Sequence, residues 1–135
     1  MRAGLMLVWH GAAAAVALAG PGVASAALDN EQFCKAMVEI ARAGKADVGH
    51  WIDRHTRDDG IEVLCGIRTV NYKRFVKSGP GSQGAADWKE RKEREWNSIA
   101  CTSSVLRDAV DNGWIISSTI TAATGERVLV IATCK

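Results

Sequence analysis

Residues 101–134 read CTSSVLRDAVDNGWIISSTITAATGERVLVIATC, and the order of signals within them decides the fold. A helix stops at Asn112-Gly113, a strand starts at Trp114, a turn falls at Thr124-Gly125, and a closing strand ends on a cysteine. In that last strand side chains alternate faces, so Val128, Val130, Ala132 and Cys134 point one way while Leu129 and Ile131 point the other. Cys134 therefore closes an apolar row. Cys101, 33 positions earlier at a helix terminus, is placed to staple helix to sheet.

At the other end of the chain, residues 1–26 read as a secretory signal: an early charge at Arg2, an apolar run through Ala19, a Pro21-Gly22 break and the small-residue site Ala24-Ser25-Ala26. His10, Gly11 and the Gly20-Pro21-Gly22 break interrupt the run, which argues against a membrane span of about 20 apolar residues. Residues 27–135 are then one domain with one core. Arg2 is the one charged residue of the signal, so 16 basic residues remain against 15 acidic, a net charge of about +1. That balance excludes nucleic acid as the main partner, because backbone binding needs a concentrated basic face.

The four cysteines, Cys34, Cys65, Cys101 and Cys134, sit in a chain addressed to an oxidising compartment. Of three possible pairings, the order helix, strand, helix, strand favours Cys34–Cys65 and Cys101–Cys134. Each would stabilise the fold by roughly 3–4 kcal/mol in the chain-entropy model. No two cysteines stand two to four residues apart, so the spacing does not suit zinc.

Upstream of residue 101, a helix begins at Asp29 or Asn30 with Glu31 in its first turn, and buries Phe33, Met37, Ile40 and Ala41 at helical spacing. A strand is expected over Val48–Thr56, then a hairpin turn at Asp58-Asp59-Gly60, then a strand whose Ile61, Val63, Cys65 and Ile67 face inward. Strand character runs on through Thr69–Val76, with a bulge expected at Gly66. Residues 77–86 hold three glycines and a proline with no apolar anchor and read as a mobile loop.

Asp87 is expected to cap a helix starting at Trp88, with ion pairs Lys89/Glu93, Glu90/Arg94 and Arg91/Glu95 on a solvated face. At 100° per residue a helix unbroken to Asn112 would put Cys101 nearly opposite Ile99, so a break at Cys101-Thr102 with Ser103 as the new N-cap is expected. The fold class that follows is α+β: an antiparallel four-stranded sheet with helices on one face, in the order α-ββ-α-ββ.

The run Trp96-Asn97-Ser98-Ile99-Ala100-Cys101, then Leu106 to Gly113, Ile115 to Thr121, Thr124-Gly125 and Thr133-Cys134 resembles the C-terminal half of the AspS-type (GspS-beta) pilotins of type II secretion. The resemblance covers about 40 residues, with Ser103-Ser104 where that family often carries Asp-Pro. It implies a helix, hairpin, helix, hairpin order, a disulfide mapping onto Cys101 and Cys134, and an escort role toward a secretin. The chain departs from the family in two respects. Its signal ends in Ala24-Ser25-Ala26 with no cysteine to acylate, and it carries the additional pair Cys34 and Cys65. No direct membrane anchor is expected, and the site of action is periplasmic or secreted.

Catalytic signals are weak. His50, Asp53 and His55 suggest a metal, but strand alternation sends His50 to one face and Asp53 and His55 to the other. There is no Gly-x-Ser-x-Gly elbow, no phosphate-cradling loop and no thiol left free by the expected pairing. The expected function is a non-enzymatic periplasmic binding or escort protein acting on a protein partner such as a secretin or a secreted protein, with no cofactor and no metal. The alternative is an inhibitor or immunity protein that blocks a toxin or wall hydrolase. Candidate contact residues are the basic shoulder Lys73, Arg74 and Lys77 and the loop residues Gly79, Pro80 and Gly81. Escort directs attention to the groove between helix and sheet, inhibition to the loop.

Overall fold

The computed structural model describes residues 28–135, and the expected signal, 1–26, lies outside them. Helix α1 (Asn30–Ala43) starts where Asp29 turns its carboxylate onto the N–H groups of Glu31 and Gln32, at 3.0 and 3.1 Å. Only Phe33 and Met37 of this helix are buried. Ile40 shares their helical spacing yet is 51% exposed, because the buried contact of α1 is confined to its first two turns.

Residues 48–55 do not form the expected strand. They follow a short 3-10 turn, Gly44–Asp47, and make a single bridge, Trp51 to Arg57. Asp53 reverses the chain here: its carboxylate accepts the N–H groups of His55 (2.7 Å) and Thr56 (2.8 Å), and the Ile52 N–H donates to the Thr56 carbonyl at 2.8 Å. The reversal expected at Asp58-Asp59-Gly60 is therefore made five residues earlier, and those residues lie within strand β1 (Thr56–Leu64). Strand β2 (Thr69–Val76) returns antiparallel, after a tight 3-10 turn at Cys65–Ile67. Gly66 sits in that turn rather than in a bulge, and Ile67 is 67% exposed rather than inward.

Helix α2 (Ala85–Thr102) begins three residues before the expected start, after Gly84 at φ 90°. Asp87 lies in its first turn and accepts from Arg91 at 3.0 Å instead of capping it. Of the three ion pairs expected on α2, Glu90–Arg94 forms; Lys92 turns to Glu95 and Arg91 to Asp87. The break falls at Ser103, whose hydroxyl accepts the Leu106 N–H and opens helix α3 (Ser104–Asp111). Helix α3 ends in a Schellman arrangement, with the Trp114 N–H on the Ala109 carbonyl and the Gly113 N–H on Val110. Gly113, at φ 89°, supplies the left-handed residue this ending needs.

Strands β3 (Ile115–Ala122) and β4 (Arg127–Ile131) complete one sheet in the order β1-β2-β3-β4. The sheet is mixed, which corrects the expectation of a purely antiparallel one: β2 and β3 run parallel in the register Thr69 with Ile115 through Val76 with Ala122. The order also differs from α-ββ-α-ββ, since two helices separate the hairpins. Alternation within a strand fixes its faces but not the direction of its neighbour. The crossover through residues 77–114 carries the chain back to the end where β2 began, which makes the central pair parallel.

One face of the sheet is the core. Val70, Val76, Ile116, Ile120, Ala122 and Val130 are buried there, beneath Phe33, Met37, Trp88, Trp96, Ala100 and Ala109. The Trp96 indole N–H reaches the Ile116 carbonyl at 3.1 Å, and the buried Ser118 hydroxyl donates to the Tyr72 carbonyl at 2.8 Å. Two disulfides tie the helices down. Cys34–Cys65 joins α1 to the β1–β2 turn and Cys101–Cys134 joins the last turn of α2 to the segment after β4, with Cα separations of 5.8 and 5.4 Å. Among the described residues no helix covers the other face. It presents Asn71, Ser117 and Thr119 in a hydrogen-bonded cluster, edged by exposed Leu64, Ile115, Leu129 and Ile131.

Candidate functional site

A groove of about 420 Å³ lies between α1 and β1. One wall is the second half of α1 (Val38, Ala41, Arg42) with the turn that follows it (Gly44, Lys45, Val48), and the other is β1 from Asp58 to Ile61 with Val63. The groove opens at a bulge. Between the pairs Asp58–Arg74 and Ile61–Tyr72, two residues of β1, Asp59 and Gly60, stand opposite one residue of β2, Lys73. Gly60 takes φ 106° there, and its N–H is satisfied at 2.8 Å by the Asp58 carboxylate. The Asp-Gly signal that suggested a hairpin turn serves a bulge instead, since both need the positive φ that glycine accepts.

Both carboxylates at the bulge are engaged by the protein itself. Asp58 holds the Gly60 N–H, and Asp59 is gripped by Arg57 through Nε at 2.8 Å and Nη2 at 3.3 Å. That bond raises the pKa of the Arg57 guanidinium, which lies 4.4 Å from the Phe75 ring centroid and 5.9 Å from that of Trp51. Arg42 pairs with Glu39. Lys45 and Lys73, by contrast, make no ion pair among the described residues. Exposed Val38 and Val48, 37% and 45% accessible, give the groove its apolar surface.

Asp59 and Lys73 also line a shallower depression of about 330 Å³ on the uncovered face, with Arg74, Thr119, Thr121 and Arg127. Of the expected basic shoulder, Lys73 and Arg74 border this depression together, although the Arg74 guanidinium itself lies over the Trp96 ring at 5.6 Å. Lys77 is directed elsewhere, onto Trp51 at 4.7 Å. Gly79, Pro80 and Gly81 line neither concavity. The Gly79 backbone packs so closely on Thr124 that a side chain there would collide with its hydroxyl, so the loop has an anchor the sequence does not advertise.

The His50, Asp53 and His55 side chains are exposed, and among the described residues no group of three His, Cys, Asp or Glu could hold a metal ion. The Asp53 carboxyl is held below its ordinary range, chiefly by the His55 N–H and also by Thr56, as suits a turn-forming carboxylate. Burial pushes the Tyr72 phenol up. The residues that sequence reasoning missed are Val38, Lys45, Val48 and Arg127. A signal for the first three was present: apolar Val38 and Val48 lie off the buried stripe of α1, on either side of Lys45.

No family model and no curated protein matches the chain. Among solved structures it is similar to the crystal structure of a candidate secreted protein (PA3611) from Pseudomonas aeruginosa, at a TM-score of 0.55 and 14% identity. The match covers 79% of this chain and 94% of that one. At that identity the similarity is one of fold.

Proposed function

We propose that this chain is a non-enzymatic binding or escort protein of an extracytoplasmic compartment, and that it holds a segment of a protein partner in the groove between α1 and β1. The observation that carries the reading is the groove itself: about 420 Å³, walled by exposed valines and bordered by lysines without ion-pair partners among the described residues. Concave apolar surface with a few convergent charges is the usual form of a peptide-binding site. Two disulfides suit an oxidising compartment, and the similar Pseudomonas aeruginosa protein carries a secreted designation. The resemblance of residues 96–134 to AspS-type pilotins extends the proposal to an escort role toward a secretion component, exercised from the periplasm without a lipid anchor.

The test is native affinity purification from the cell envelope with the disulfide-bonded protein and with Ala41→Trp, which fills the groove from the exposed side of α1. A protein that copurifies with the first and is lost with the second supports the proposal. Equal recovery with both, or copurification of a small molecule in place of a protein, contradicts it. The alternative reading, an inhibitor that inserts residues 79–84, draws no support from a loop whose Gly79 backbone packs on Thr124.

A further inference from the structure

We infer that the segment held by this protein is acidic as well as apolar, and that it runs from the α1–β1 groove past the bulge onto the uncovered face of the sheet. This rests on the binding function proposed above and specifies its ligand. The two concavities share Asp59 and Lys73, so they form one continuous path around the β1 bulge. Along that path Lys45 stands at the groove end, Lys73 at the shared middle and Arg127 at the far end, and none has an ion-pair partner among the described residues.

The carboxylates on the path offset these cations only in part. Asp59 is balanced by the two hydrogen bonds of Arg57, while Asp58 accepts the Gly60 N–H and keeps its charge, one against the three cations. For a protein whose formal charge is only +2, three cations without ion-pair partners along one path, which is apolar-walled in its groove half, are a local excess that an acidic segment complements. Thr121 adds a hydroxyl beside Arg127, which suits a carboxylate oxygen or the peptide backbone, while the Thr119 hydroxyl is held by Asn71. A basic segment would place like charges against all three cations, and that specificity is what distinguishes this inference from binding in general.

The experiment uses two labelled synthetic peptides with the same leucine spacing, one carrying glutamates and the other lysines between the leucines. Each is titrated with the disulfide-bonded protein while fluorescence anisotropy is followed. The expected result is saturable binding of the glutamate peptide alone, weakened about fivefold by Lys73→Glu and by Arg127→Glu and unchanged by Lys89→Glu, a charge reversal on the exposed face of α2. Added salt should weaken it further. Preference for the lysine peptide overturns the inference while leaving groove binding intact. So does binding of both peptides that is lost in Ala41→Trp but indifferent to the two reversals. Failure of both peptides overturns it as well, and the envelope purification then judges the binding function separately.

Discussion

The indole N–H of Trp114, the residue before β3, donates to the side-chain oxygen of Asn30, the first residue of α1, at 2.9 Å. The same ring meets Phe33 edge to face, with centroids 4.7 Å apart, so one side chain both packs and hydrogen-bonds the helix that forms the groove wall. Asn30→Ala leaves the N–H of a largely buried tryptophan without a partner and should cost about 1–3 kcal/mol. Asn30→Asp keeps the acceptor, adds a favourable charge at the helix N-terminus and should stay close to the parent. Urea unfolding midpoints of the two variants check this.

The two disulfides should differ in what they protect. Replacing Cys34 and Cys65 by serine should cost roughly 3 kcal/mol and also speed amide exchange along α1, since that bridge fixes the helix against the β1–β2 turn. Replacing Cys101 and Cys134 should cost a similar amount but leave exchange in α1 unchanged, because the bridge lies between α2 and the end of the chain. Chemical denaturation and hydrogen exchange on each double variant separate the two effects.

Gly113→Val should be destabilising by about 1–2 kcal/mol, because a β-branched residue is strained at φ 89°. Gly44→Ala, at a helix end with φ −78° and open space around it, should lie within about 0.5 kcal/mol of the parent or above it. Thermal unfolding of the pair checks the contrast.

Tyr72 is the only tyrosine in the chain, so phenolate absorbance reports it alone. Burial raises its pKa, which means the folded state favours the neutral phenol. Its contribution to stability is complete below the ordinary tyrosine value of about 10 and is lost as pH rises toward the higher folded value. Phenolate should therefore appear at higher pH in the folded protein than in urea. Coincident titrations would contradict the burial of this residue against Trp96, whose ring centroid is 5.2 Å away.

What the sequence made legible was local or covalent. The alternation of Val128, Val130 and Ala132, the break before Ser103 and the glycine stop at Gly113 all depend on neighbours a few residues away, and the cysteine order was enough to suggest both bridges. The direction of β3 relative to β2 depends on how the crossover packs, which no period within a strand encodes. Asp58-Asp59-Gly60 was ambiguous for a physical reason, since a turn and a bulge ask the same of glycine; the choice was made by Asp53, whose carboxylate reverses the chain first. The groove was legible only in outline. It arises where that bulge meets the exposed half of α1, and Arg127 lines the adjoining depression from a strand more than 50 residues away in sequence.

Photo-crosslinking tests the groove most directly. A photoreactive amino acid at Val48, in the groove wall, and another at Ile99, exposed on α2 away from it, are activated in intact cells and the adducts are mapped by mass spectrometry. The account predicts a discrete protein adduct from position 48, mapping to a segment rich in acidic and apolar residues and abolished by Ala41→Trp, with none from position 99. Adducts of equal yield from both positions, or a position-48 adduct that survives Ala41→Trp, would contradict the assignment of this groove as the binding site.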